Sequence, residues 1–204
     1  MSITLIIIIL TAFITFSAFK DTNLRSKLIF HPYTVYAQKE WFRLISHGFI
    51  HADNAHAFFN LFALWMFGTR VEEYYGNYFG SKATLYFILL YVGGIIAASL
   101  VSLEKHKNNP SYSALGASGA VSAVVFSAIV MEPKMQMGLM FFPVMIDGWI
   151  FGILYLGYST YMSKKATDNI GHDAHLWGAV FGFLITIIFR PEFLSEFLDQ
   201  IKIF

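Results

Sequence analysis

The sequence predicts an all-α membrane protein: six transmembrane helices in one compact bundle, with a long first loop. Three observations predict it. The 204 residues are 56% hydrophobic and only 13% charged, a balance that fits a bilayer rather than a soluble core. Apolar segments recur near Ile3–Phe19, Ala55–Phe67, Ala83–Val101, Ser118–Met131, Met137–Met162 and Ala174–Phe189. The 22 Phe, 11 Tyr and 4 Trp suit lipid-facing and interfacial positions. Net charge is +1, so bulk electrostatics imply no nucleic-acid partner. The absence of cysteine removes disulfides, thiol nucleophiles and thiolate metal sites.

Each element follows from its residues. Met1 to Phe19 lacks the positive n-region and small-residue cleavage site of a signal peptide, and reads as a retained spanning helix. Lys20 to Ser46 is long and mixed. Its Phe30, Pro32, Tyr33, Tyr36, Trp41 and Phe42 are too aromatic for a solvated loop and place it partly in the interface. The second helix is followed by a turn, Thr69–Ser81, with Arg70, Glu72 and Glu73. A polar connection, Glu104–Ser113, follows the third helix, and a tight turn, Glu132–Gln136, follows the fourth. The fifth apolar segment places Asp147 mid-helix as a lone acid. Ser163–Asp173 is a polar, Gly-containing loop. After Arg190-Pro191, the apolar Phe193, Leu194, Phe197, Leu198 and Ile201 recur at helical spacing, as in a short amphipathic surface helix. The expected organisation is a membrane domain over 1–190 and a tail over 191–204.

The fourth helix has a special length. Ser118 to Met131 is about 14 residues, or roughly 21 Å as a helix, whereas a bilayer core needs about 20 residues. If its far end meets one surface, Ser118 lies below the other. Backbone at that depth must be buried in protein or line a watery cavity. The flanking Gly116 and Gly119 allow close approach and unusual torsions. A serine on such a turn, at a helix N-terminus, is a candidate nucleophile.

Counting places its partners. Even-numbered helices run the same way through a bilayer, so their N-terminal ends share one face. His47, His51, Asp53, His56 and Asn60 gather at the second, Ser118 at the fourth, and His172, Asp173 and His175 at the sixth. Polar and ionisable groups at membrane depth are costly and point to function. Serine needs a base to remove its proton, and His175 is the best candidate. Gly178 and Gly182 follow it at i+3 and i+7, a small-residue seam that matches Gly119 and Ala123 on the fourth helix. Acyl transfer also needs donors aimed at the developing oxyanion. His56 and Asn60, at i and i+4, share a helix face. Asp53 sits where an N-cap would. The Ser118 backbone N–H adds a third donor. The plainer reading of these residues is helix packing and interhelical hydrogen bonding. His47 and His51 fit water access and hydrogen bonding better than chemistry. There is no His-Glu-x-x-His, so no metal is expected. Aspartyl catalysis needs a second acid at the depth of Asp147, and none is evident.

Together these residues resemble a known family. Gly116-Ala117-Ser118-Gly119 resembles the Gly-x-Ser-Gly motif of rhomboid intramembrane serine proteases. Ala174-His175 with Gly178 and Gly182 resembles their Ala-His-x-x-Gly-x-x-x-Gly helix. His51, His56 and Asn60 match a His-x-x-x-x-His-x-x-x-Asn pattern on their second helix, and Trp41-Phe42-Arg43 resembles the aromatic–Arg signature of their first loop. The resemblance covers nearly the whole chain. It implies a Ser–His dyad with Ser118 as nucleophile and His175 as general base, then acid. It implies an oxyanion site of His56, Asn60 and the Ser118 N–H, with Gly116, Gly119, Gly178 and His51 in support. It implies no cofactor, and single-spanning membrane-protein substrates that enter sideways past the fifth helix as a gate. By resemblance Ser163–Asp173 is a lid, the first loop dips into the outer leaflet, and the site opens to the extracytoplasmic side.

The sequence departs from the resemblance at two points. Many relatives carry an aromatic four residues after the nucleophile, able to stack on the base; here that residue is Ser122. The loops on the site face hold Lys20, Arg25, Lys27, Lys39, Arg43, Lys105, Lys107, Lys164 and Lys165, against Arg70, Lys82, Lys134, Arg190 and Lys202 opposite, the reverse of the positive-inside sense. The leading expectation is an intramembrane serine endopeptidase in the lipid bilayer of a bacterial cell membrane. The absence of a targeting peptide and of an extra domain favours that membrane. The alternatives are a catalytically silent relative binding membrane-protein clients, and a channel or transporter that uses the His cluster as a proton path. The sequence leaves the oligomeric state open.

Overall fold

The structure is a computed structural model that describes residues 2–138, 144–165 and 171–202. Its helices are α1 (Ile3–Lys20), three short helices α2 (Thr22–Leu28), α3 (Pro32–Gln38) and α4 (Arg43–Ser46), then α5 (Asn54–Phe79), α6 (Ala83–His106) and α7 (Ser118–Met131). A two-stranded antiparallel ribbon follows, β1 (Gln136–Gly138) with β2 (Met145–Asp147), and then α8 (Gly148–Lys165), α9 (His172–Phe189) and α10 (Glu192–Ile201). Among the described residues, α1, the stretch 54–106 and α9 are long and apolar enough to cross a membrane. Within 54–106 the chain turns at Gly80, whose φ of 53° closes α5.

The core is α7. It is apolar all round, and nearly every residue from Gly119 to Met131 is buried, as expected for a helix enclosed by others. Helices α5, α6 and α9 pack around it. The α7–α9 crossing is the closest. A Cβ built on Gly178 would lie 2.1 Å from the Gly119 carbonyl oxygen, and one on Gly182 would lie 2.1 Å from that of Ala123. Only hydrogen fits at either position, so two polypeptide backbones touch. One turn deeper, the Tyr75 hydroxyl on α5 lies 3.0 Å from Ser127 Oγ, and Thr186 of α9 donates to Ser127 at 2.8 Å. This buried network joins three helices where apolar packing alone would permit sliding.

Two elements differ from the sequence reading. Residues 69–79, expected as a turn, continue α5. The charges there have distant partners: Glu72 accepts from Ser2 Oγ and from the Ile3 and Thr4 N–H groups, capping α1. Arg70 pairs with Glu132 at 2.7 Å. The apolar run from Met137 is also not one helix. It forms the ribbon first, and α8 begins at Gly148, whose N–H donates to Met135 O while that of Trp149 donates to Pro133 O. Asp147 therefore lies in a strand, not mid-helix, and accepts from Gln136 Nε2 at 2.6 Å.

The segment between α1 and α5 is stapled by one cation. Arg43 is buried; it pairs with Glu40 and donates to Ser26 O at 2.8 Å and Ile29 O at 2.9 Å. Ser46 donates to Leu28 O. Phe30 then exchanges two 3.0 Å backbone hydrogen bonds with Ala114. The short helices thus brace the strand of chain that leads into Ser118. At the other end of the chain, α10 is amphipathic. Its buried Phe193 meets Tyr78 edge-on, and Arg190 lies over both rings.

Candidate active site

Ser118 is the first residue of α7, and its turn is built by three contacts. The Gly116 N–H donates to His47 O at 3.0 Å. The Ala117 N–H donates to His51 Nε2 at 3.3 Å. Gly116 has φ +120°, and a Cβ there would lie 2.7 Å from His56 Cε1. A side chain at Gly116 would thus suffer both a disfavoured torsion and a clash with the imidazole.

The histidines of this region have separable roles in the packing. His51 is fully buried and accepts through Nε2, so its proton sits on Nδ1 and is donated to Thr15 Oγ1 at 3.0 Å; Thr15 donates on to Phe49 O. This chain ties α1 to the Ser118 turn. His47 lies against Phe30 and reaches Ser99 Oγ at 2.8 Å through Nε2. Both histidines precede α5, and burial pulls each down to about 4, so both are neutral at physiological pH. His56 meets the His51 ring edge-on, with centroids 5.0 Å apart. Its backbone N–H donates to the Asp53 side chain at 2.8 Å, the N-cap that the spacing predicts. Asn60 is buried, and its amide donates to His56 O at 2.9 Å.

The partner face is the start of α9. A Cβ on Gly119 would lie 3.4 Å from the Ala174 carbonyl oxygen. Ser118 and His175, the chain neighbours of those two residues, are therefore brought to facing turns of α7 and α9. Both side chains are half-buried. His172 is buried and presents its ring to His175 edge-on, with centroids 6.0 Å apart. Tyr155 of α8 has its ring 6.3 Å from that of His175 and inclined by 23°. The Tyr155 hydroxyl is 2.6 Å from Ser122 Oγ. Thr15, Ser99 and Tyr155 carry no motif, and no local spacing in the sequence singles them out. Of the Ser163–Asp173 segment, Ser163–Lys165 end α8 and His172 and Asp173 begin α9; 166–170 lie outside the described residues. Asp173 ties the flanks together, accepting from Ser163 and pairing with Lys105.

The Rhomboid domain family model matches residues 38–192, most of the chain and every residue of this cluster on α5, α7 and α9. The chain belongs to the rhomboid family. Family and apolar helices together make it an integral membrane protein. It is 30% identical over 151 residues to RHOMBOID-like protein 12, mitochondrial, of Arabidopsis thaliana, covering 67% of this chain and 43% of that protein. It is 30% identical over 147 residues to Rhomboid protease GluP of Bacillus subtilis (strain 168), covering 72% and 26%. It is 26% identical over 158 residues to Rhomboid protease GlpG of Haemophilus influenzae, covering 77% and 74%. The chain thus spans less than half the length of these first two relatives. Two of these three rhomboid relatives are named as proteases.

Proposed function

We propose that this rhomboid is an intramembrane serine endopeptidase that cleaves membrane-protein substrates in or beside a transmembrane segment. The observation that carries the reading is the α7–α9 backbone contact at Gly119 and Gly178, beside which Ser118 and His175 occupy facing turns. Ser118 Oγ attacks the scissile carbonyl carbon while His175 takes its proton. The carbonyl oxygen becomes an oxyanion. The Ser118 N–H lies in the first turn of α7, where N–H groups have no intrahelical acceptor and the helix dipole favours negative charge. His56 and Asn60 add side-chain donors, and Asn60 retains a second amide hydrogen beyond the one given to His56 O. His175 then passes the proton to the leaving amine, leaving an acyl-serine. Water, deprotonated by His175, releases the acyl group and regenerates Ser118. Gly116, Gly119, Gly178 and His51 hold the geometry and carry no proton. No cofactor enters.

We place this site in a bundle of six spans over 1–190, with α10 as an amphipathic tail, and orient it to the extracytoplasmic side of a bacterial inner membrane. The short helices after α1 sit in the outer leaflet, and single-spanning substrates enter past α8. The reading is tested with purified protein in detergent and a model single-spanning substrate. Wild type cleaves it; Ser118→Ala and His175→Ala do not, a loss of at least about a thousandfold. Equal cleavage by all three proteins would assign the activity elsewhere. Client binding with no cleavage, and no fluorophosphonate labelling of Ser118, would make the chain a silent relative.

A further inference from the structure

We propose that Tyr155 is a positioning residue that holds the His175 imidazole in line with Ser118, in a site where the α7 helix supplies no aromatic for that purpose. The proposal rests on the reading of His175 as the base. Ser122 is one turn beyond Ser118, on the same face of α7. Its side chain has no ring to lay against the base, and Tyr155 brings one from α8. The two rings are near parallel, 23° apart with centroids at 6.3 Å, an offset stack.

The tyrosine is itself fixed. Its hydroxyl is 2.6 Å from Ser122 Oγ, which is buried. Phe151, one turn earlier on α8, stacks near it at 5.8 Å, and Phe126 of α7 approaches at 5.7 Å. The backbone of α8 packs against the same phenylalanine, a Cβ on Gly152 falling in ordinary contact at 3.5 Å from Phe126 Cε1. The ring is therefore held at its tip by a hydrogen bond and along its body by two phenylalanines. His172 lies edge-on to the same imidazole at 6.0 Å. An imidazole confined in this way has fewer ring orientations to sample before each proton transfer, and small misplacements of a base are costly in rate. Because the ring belongs to α8 while Ser118 and His175 belong to α7 and α9, base alignment depends on the seating of a third helix.

The test uses the full chain in detergent with Tyr155→Leu, Tyr155→Phe and wild type. Two quantities are read: the rate of Ser118 labelling by a small fluorophosphonate, and kcat and KM for a model single-spanning substrate. Melting temperature confirms folding. Tyr155→Leu is expected to lower both the labelling rate and kcat by about tenfold, with KM within about twofold. Tyr155→Phe keeps the stack and stays within about threefold of wild type. Tyr155→Met, flexible enough to fill an irregular gap without a ring, carries the same expectation should Tyr155→Leu fail to fold. Wild-type labelling and kcat in folded Tyr155→Leu, or an effect confined to KM, would overturn the proposal and leave the protease reading intact. A wild-type protein that neither labels nor cleaves overturns the protease reading and the proposal with it.

Discussion

His51 links α1 to the turn that carries Ser118, and a single proton decides whether the link holds. Its Nε2 accepts from the Ala117 N–H and its Nδ1 faces Thr15 Oγ1. A protonated imidazole has no acceptor, so it cannot keep the first of these bonds. Burial holds its folded-state value near 4, below the ordinary value of 6.5. Protonation therefore favours the unfolded chain: the stability is complete above 6.5 and is lost as pH falls from there toward 4. His47 adds to the same loss, because burial pulls it down to about 4 as well. Melting temperature in detergent is expected to fall across that window. His51→Gln supplies an acceptor that does not titrate, so its profile is flatter while its stability at pH 7.5 stays near wild type. His51→Ala leaves the Ala117 N–H buried without an acceptor, at a cost of about 1–3 kcal/mol. A His51→Gln profile as steep as wild type would assign the acid loss to other groups.

At the scale of elements, the meeting of α7 with α9 makes the sharpest demand on sequence. Gly178→Ala would drive a methyl group against the Gly119 carbonyl. Neither backbone can turn aside as a side chain can, so overpacking should cost about 1–3 kcal/mol or more and spread Ser118 from His175. The control is Gly157→Ala on α8, where an added Cβ meets nothing within 4 Å; it is expected to melt at or slightly above the wild-type temperature. Comparable melting and Ser118 labelling in both variants would show that the seam is not what aligns the two helices. This seam was legible, because a repeat of small residues on two helices has few uses besides close approach. So was the N-cap at Asp53, a matter of spacing three residues apart. The continuation of α5 through Thr69–Phe79 was not. Its Glu72 finds its partners at the start of α1, some seventy positions away, and looks locally like turn polarity. The ribbon before α8 was hidden for another reason: a short apolar run fits strand and helix equally well, and only the hydrogen bonds of Gly148 and Trp149 to the preceding turn fix where the helix starts. Tyr155 was illegible for the plainest reason. Ser122 marked a missing ring, but no pattern says which of the other helices supplies one.

For the whole molecule, the loop charges and the proposed opening of the site point to opposite orientations. The loops around the candidate site carry the larger share of Lys and Arg, which by the positive-inside sense would hold them in the cytoplasm. Several of those cations are not free to act as topological signals. Arg43 is buried on Glu40 and two carbonyl groups; Lys105 pairs with Asp173, and Lys107 with Glu104. The same holds opposite, where Arg70 pairs with Glu132, Arg190 with Glu196 and Lys202 with Asp199, so discounting paired cations leaves the excess on the site face in place. The proposed extracytoplasmic opening therefore runs against the loop charges, and labelling decides between them. The natural absence of cysteine makes the orientation directly measurable. Ser111 and Lys134 are exposed and lie beyond opposite ends of α7, so single cysteines there report opposite faces. In intact cells, a membrane-impermeant maleimide should label Ser111→Cys and spare Lys134→Cys until the membrane is opened. The reverse pattern would turn the molecule over, leaving Ser118 to meet its substrates and water from the cytoplasm. The helix packing would then stand unchanged, but the loop charges would have set the topology after all.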